Sequence, residues 1–244
     1  MDAPDCPHNP DPAPLDLRLD LGRQARLGMV EAIWGEHKSS DQILAALAGV
    51  RQAGQIALVT RLSGERADSL LAAMPAAALD PSGYRHHRQA RCLSSHPLPE
   101  PDAALAPVAI LAGGSSDLAV ATEARLSLAC HGIASELVLD VGVAGLHRLL
   151  DQLEALRRAP LLIVCAGMEG ALPTVVAGLL PQPVIGVPVS VGYGVSAGGR
   201  AALRGMLASC APGLSVVNID NGYGAAMAAL RILRGSAAGW TQRG

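Results

Sequence analysis

PVAILAGGSSDLAVATEARLSLACHGIASELVLDVGVAGLHR, residues 107–148, runs from an apolar strand-length segment through a glycine turn and a helix-length segment into a second apolar run. The same order recurs downstream, with LLIVCAG (161–167), VIGVPVSV (184–191) and SVVNID (215–220) each entering a turn and then a helical stretch. Apolar runs of this length, alternating with helices, predict a parallel sheet covered on both faces. The expected fold is therefore a three-layer α/β, doubly wound domain. Its ligand belongs at the carboxyl ends of the strands, near the point where strand order reverses.

Upstream, residues 16–62 predict a helical start, a short strand around Val30 to Trp34, a helix from about Asp41 and a strand from Ile56. Ser39 and Ser40 offer N-caps for that helix. A further helix follows Ser63, and Ala78 to Leu93 reads as a strand pair turning around DPSG. SHPLPEPDAALAP, with four prolines and little pattern, reads as a linker. The expected divisions are a disordered tail at 1–14, a small α/β domain at 15–95, the linker at 96–106, a catalytic domain at 107–233 and a C-terminal tail at 234–244.

Composition narrows the function. The formal charge of −2 supplies no general attraction to nucleic acid or anionic membrane. Phe is absent and only 2% of residues are aromatic, so the core must be aliphatic. The N-terminus lacks the basic-then-apolar pattern of a signal peptide, and prolines and glycines interrupt the most apolar region, so no transmembrane span is expected. The five cysteines contain no C-x-x-C pair, which argues against a disulfide framework or a zinc ribbon and fits a reducing cytoplasm.

Four stretches carry residues suited to chemistry. In AGGSSD (112–117) the glycines admit close backbone approach, Ser115 and Ser116 add hydroxyls, and helix N-terminal amides face an anion; a plain N-cap is the simpler alternative. In DVGVAGLHR (140–148), His147 and Arg148 suit a phosphate or a proton shuttle, although a surface helix accounts for them equally simply. VCAGMEGALP (164–173) puts Glu169 at the ligand-facing end of a strand, as a helix-terminal charge or as a general base. Cys165, within that strand, reads as a small core residue.

The fourth stretch, residues 188–224, has Gly192, Gly194, Gly198 and Gly199 in a flexible clamp before a helix ending at Cys210. Taken alone, Cys210 reads as inert, because the negative end of a helix dipole disfavours thiolate. Elsewhere, RHHRQAR (85–91) is a basic patch, and His37 and Lys38 sit before a helix within reach of a phosphate. None of these has metal-ligand spacing.

Taken jointly, AGGSSDLAVATEA, DVGVAGLHR, AGMEGALP, GVPVSVGYG and ASCAPGLSVVNIDNGYGA resemble the LarB family, the carboxylase/hydrolase that begins synthesis of the nickel-pincer nucleotide cofactor. RQARLGMVEAIWGEHKSSDQ extends the likeness into the N-terminal segment, with His37 and Ser39 flanking Lys38 where the family usually has Gly and Thr. The C-terminal part also resembles PurE-type aminoimidazole ribonucleotide carboxylases, which carry a proton-transferring histidine where this chain has Ala171.

The resemblance implies a flavodoxin-like catalytic domain and nicotinic acid adenine dinucleotide as substrate. CO2 or bicarbonate is the co-substrate, no cofactor is tightly bound, and Mg2+ is an optional aid to hydrolysis. It implies a covalent Cys210–pyridine adduct, Glu169 handling the proton, and phosphoanhydride hydrolysis releasing AMP. Substrate contacts fall to Lys38, Gly114, Ser115, Ser116, Asp117, His147, Arg148, Gly167, Met168, Gly192 and Gly194. Both families form symmetric multimers, commonly octamers, so a homo-oligomer is expected, with no nucleic-acid or membrane partner. The competing expectations are a PurE-like carboxylase or mutase of purine synthesis and a nucleotide-binding protein without chemistry.

Overall fold

A computed structural model describes residues 17–238. The expected tail at 1–14, Cys6 and residues 239–244 lie outside the described residues.

The N-terminal region opens with α1 (Arg23–Leu27) and continues through β1 (Ala32–Trp34), α2 (Ser40–Gln52), β2 (Leu58–Thr60), α3 (Gly64–Ala73), β3 (Tyr84–His87) and β4 (Cys92–Ser95). Its sheet runs β1-β2-β4-β3, with β1 and β2 parallel and the other pairs antiparallel. Ser39 caps α2: its hydroxyl accepts from the Gln42 amide at 3.2 Å, while the Gln42 side chain accepts from the Ser39 amide at 3.0 Å. Two orphan donors of the first turn are thus satisfied. Ile43, Leu44, Leu47 and Val50, spaced for one helical face, are buried against the sheet.

The strand pair expected between residues 78 and 93 exists, but DPSG is not its turn. Asp80 accepts from the Ser82 amide at 2.9 Å and starts a 3₁₀ turn over Pro81–Gly83, ahead of β3. The hairpin instead closes over residues 88–91, where Arg91 takes a left-handed φ of 51° and its amide donates to the Arg88 carbonyl.

Beyond residue 107 the expected alternation is realised. The strands are β5 (Val108–Ala112), β6 (Ser135–Val138), β7 (Leu162–Ala166), β8 (Val184–Pro188) and β9 (Leu214–Val216). Between and after them lie α4 (Leu118–Ala129), α5 (Leu146–Leu150), α6 (Leu153–Leu156), α7 (Leu172–Leu179), α8 (Arg200–Leu207) and α9 (Gly222–Ala238). The sheet is wholly parallel with order β6-β5-β7-β8-β9, the flavodoxin-like order. Alternation along β7 builds both faces: Ile163 and Cys165 pack into the core under α4 and α9, Leu162 and Val164 into the core under α7 and α8. Cys165 is the core residue expected. Helix α9 continues to Ala238, past the expected boundary at residue 233.

The two sheets are joined through α4 and α9. Val30, Leu58, Ala90 and Cys92 share one apolar cluster with Leu126 and Cys130. Polar contacts fix its edges: the Val30 amide donates to His131 Nε2 at 3.0 Å, and the Tyr223 hydroxyl donates to the Val30 carbonyl at 3.3 Å. His131 Nδ1 faces the Ser127 carbonyl at 2.6 Å, so the ring is neutral with its proton on Nδ1. Burial holds its pKa below the usual histidine value, in agreement.

Candidate active site

The β5–α4 and β7–α7 loops flank the switch point of the parallel sheet, where β5 lies between β6 and β7. Gly167 lets the β7 loop pass under the β8 loop, since a Cβ there would stand 2.4 Å from the Val191 carbonyl oxygen. The Met168 amide donates to that same carbonyl at 3.0 Å. Gly142 admits the β6 loop beside β5 in the same way, its Cβ position being 2.7 Å from the Gly113 oxygen.

These loops enclose a cavity of about 240 Å³. Gly114, Ser116 and Asp117 line it from the β5 loop, Arg148 from α5, and Gly167, Met168 and Glu169 from the β7 loop. Seven of the expected site residues are thus brought together. Ser115 is exposed on the same 3₁₀ turn, and His147 is exposed on α5; neither lines the cavity. Arg148 pairs with Asp140 rather than standing free.

Asp117 is only 4% exposed. One carboxylate oxygen accepts from the Gly114 amide at 2.9 Å, closing the loop on itself. The other, Oδ1, is buried beside Gly167 and completes no hydrogen bond of full geometry among the described residues. Burial pushes this carboxyl upward, against the lowering by the Gly114, Gly167 and Gly113 amides.

Other expected residues lie elsewhere. Gly192 and Gly194 belong to the β8–α8 loop, whose Tyr193 and Val195 are 78% and 96% exposed. Lys38 lies on the loop after β1; Arg66 braces that loop by donating to the Gly35 and Lys38 carbonyls, each at 2.6 Å. Cys210 follows α8 on the connection to β9, exposed, and does not line the Glu169 cavity. Cys92, Cys130 and Cys165 are buried, and burial raises each thiol. Among the described residues Cys210 is the exposed thiol.

A second cavity, about 220 Å³, opens between the two sheets and was not expected. Arg61, Arg91 and Glu36 line it from the N-terminal region, Glu123 from α4, and Ser116, Val191 and Asp220 from the loops of the parallel-sheet domain. Asp220 had appeared within the quoted NIDN and Arg91 within the basic patch, but neither signal told which face they would share. Of that patch, His87 turns to Ser94, 3.0 Å away, and burial takes its pKa down to about 4. Arg61, Arg91 and Asp220 all hold left-handed φ values of 51–55°, as do Met168 at 53° and Asp140 at 58° beside the first cavity. Each costs about 1–3 kcal/mol and persists only where its surroundings compel it, and such residues cluster at functional sites.

Glu123, 7% exposed on α4, accepts from the Tyr223 amide at 3.3 Å. Burial raises its carboxyl to about 7 from an ordinary 4.5. Below pH 4.5 the group is protonated whether the chain is folded or not; as pH rises through 7, the unfolded chain gives up that proton more readily and stability falls. Full ionisation costs roughly 3 kcal/mol at 1.36 kcal/mol per unit. Glu123→Gln should therefore exceed the parent in denaturant melts by up to that amount at about pH 8, and match it at about pH 4. An equal difference at both pH values would contradict the assignment.

Among the described residues no three His, Cys, Asp or Glu side chains gather as a group that could hold a metal ion. No helix among them is long and apolar enough to cross a membrane.

Comparison with known proteins agrees with this architecture. A family model described as AIR carboxylase matches residues 107–243, and one described as LarB/PurE-like N-terminal domain matches residues 16–97. The chain is 38% identical over 211 residues to the uncharacterised protein MJ0165 of Methanocaldococcus jannaschii, covering 86% of this chain and 80% of that one. It is 37% identical over 131 residues to that organism's N5-carboxyaminoimidazole ribonucleotide mutase, covering 52% and 78% respectively. Both matched domains indicate a carboxylase-type enzyme. With the two domains in this order along one chain, the protein belongs to the LarB family.

Proposed function

We propose that the protein carboxylates the pyridinium ring of nicotinic acid adenine dinucleotide at C5 and hydrolyses the phosphoanhydride to release AMP, the opening step of nickel-pincer nucleotide synthesis. The observation that carries this reading is Glu169 in one cavity with the Gly114–Asp117 turn, with Ala171 on its wall where a PurE-type enzyme would need histidine. A proton-handling carboxylate is present and the imidazole is not.

The Gly114–Ser116 turn holds the nicotinate-side phosphate, and Asp117, whose Oδ1 completes no hydrogen bond of full geometry among the described residues, accepts from a ribose hydroxyl. The Cys210 thiolate adds to ring C4, turning the cationic ring into an enamine. Its C5 then attacks CO2, forming the new C–C bond. Glu169 takes the C5 proton as the ring regains aromaticity, and the C4–S bond breaks to return the thiolate. Covalent catalysis divides one hard step into easier ones.

Cys210 and Glu169 do not share a cavity within one chain, so the proposal includes an assembly in which a neighbouring copy supplies the thiol. Exposed Leu207 on α8, with Tyr193 and Val195 on the preceding loop, gives such a neighbour an apolar surface. The resemblance points to an octamer.

The 37% identity to a ribonucleotide mutase supports a second reading, carboxylation or carboxyl migration on aminoimidazole ribonucleotide. One assay separates the two. With bicarbonate, the dinucleotide should yield a dicarboxylated pyridinium mononucleotide and AMP by mass spectrometry, while aminoimidazole ribonucleotide and its N5-carboxylated form should remain unchanged. Turnover of an imidazole substrate, with none of the dinucleotide, would reverse the assignment.

A further inference from the structure

The cleft between the two sheets adjoins the catalytic cavity, because Ser116 and Val191 line both. A ligand phosphate on the Ser116 turn therefore has a continuous path into it. Two guanidiniums from the N-terminal region stand along that path. Arg61 is anchored, donating to the Asp220 carbonyl at 3.0 Å and lying 3.7 Å from the Glu36 carboxylate. The Arg91 guanidinium makes no hydrogen bond or ion pair among the described residues, although its own backbone carbonyl accepts from Leu62 at 2.6 Å and fixes its base. Its charge reaches Glu123 through space, and its exposed fork at the cleft remains open to a planar oxyanion, the geometry guanidiniums match.

The acids of the cleft do not occupy it. The Asp220 carboxylate accepts from the Ser190 amide at 2.8 Å, Glu123 is turned to the Tyr223 amide, and Glu36 is exposed and only loosely paired. An exposed carboxylate beside two arginines suits a nucleotide's phosphate next to its ribose diol.

We infer that this cleft is the subsite for the second phosphate and nucleoside of a dinucleotide, with Arg91 and Arg61 as the phosphate ligands, so that the N-terminal domain grips the adenylate half. The inference rests on the proposed dinucleotide substrate and assigns the N-terminal domain a part in binding it.

Titration calorimetry on the full chain tests it with three probes: nicotinic acid adenine dinucleotide, nicotinic acid mononucleotide and AMP. Arg91→Ala is the informative variant, because its exposed side chain makes no hydrogen bond or ion pair among the described residues; Arg61→Ala also removes the Asp220 contact, and both are read beside a thermal melt. Loss of one charged phosphate contact should weaken the dinucleotide by about 10- to 100-fold. The mononucleotide should stay within about twofold, AMP binding should be lost, and Arg91→Lys should restore part of the affinity. Equal weakening of dinucleotide and mononucleotide, or no change in either, would overturn the subsite. Arg91-dependent AMP binding with no affinity for either pyridine nucleotide would leave the cleft standing and overturn the carboxylase reading. AMP binding that Arg91→Ala leaves intact would overturn the cleft alone.

Discussion

Cys210→Ala should remove the carboxylated product, lowering turnover by about 10³-fold or more, the scale on which loss of a nucleophile acts. Its effect on folding should be small, because the side chain is exposed and lies outside every apolar core cluster. Surface substitutions of that kind stay within about 0.5 kcal/mol. The three buried thiols provide the control: burial raises each of them, so each remains protonated and unreactive. Alanine at Cys165, inside β7, should cost stability and leave the chemistry of the surviving folded fraction unchanged. Under the proposed function a cationic ring beside the exposed thiol would favour its thiolate form.

Glu169→Gln should be comparably inactive, by about 10²- to 10⁴-fold, the usual contribution of a positioned acid–base group. The fold gives this pair of variants a further use. Glu169 lines the cavity at the switch point, Cys210 does not, and Leu207, the last residue of α8 before the connection carrying Cys210, is 66% exposed. If a neighbouring copy supplies the thiol, dissociating and reassembling the two inactive proteins in equal amounts should restore activity. Random association gives about one site in four both native residues, by the symmetry of a homo-oligomer. Recovery near one quarter of wild-type activity supports a shared site. No recovery from verified mixed assemblies would place both residues in one chain.

The catalytic domain was legible because its strands are buried on both faces. VAILA and LIVCA read as continuous apolar runs, and that pattern fits a covered parallel sheet and little else. The loops at the carboxyl ends followed from topology, which is why Gly114, Ser116, Asp117 and Glu169 were found and do meet. The hairpin was misplaced because DPSG has the composition of a turn. Asp80 and Pro81 use that composition to start a 3₁₀ turn, while the actual hairpin depends on a left-handed arginine that no sequence pattern announces. The interdomain cleft was illegible for a similar reason. Arg61 and Arg91 meet Ser116 only once Leu58 and Cys92 have packed against Leu126 and Cys130, a tertiary event without local periodicity.

The covalent step itself is open to a direct measurement. Glu169→Gln, mixed with nicotinic acid adenine dinucleotide and bicarbonate and quenched in acid, is digested and its cysteine peptides mapped by mass spectrometry. The account predicts a pyridine nucleotide adduct on the peptide containing Cys210 and on no other. An adduct on Cys92, Cys130 or Cys165, or wild-type product formation that survives Cys210→Ala, would contradict it.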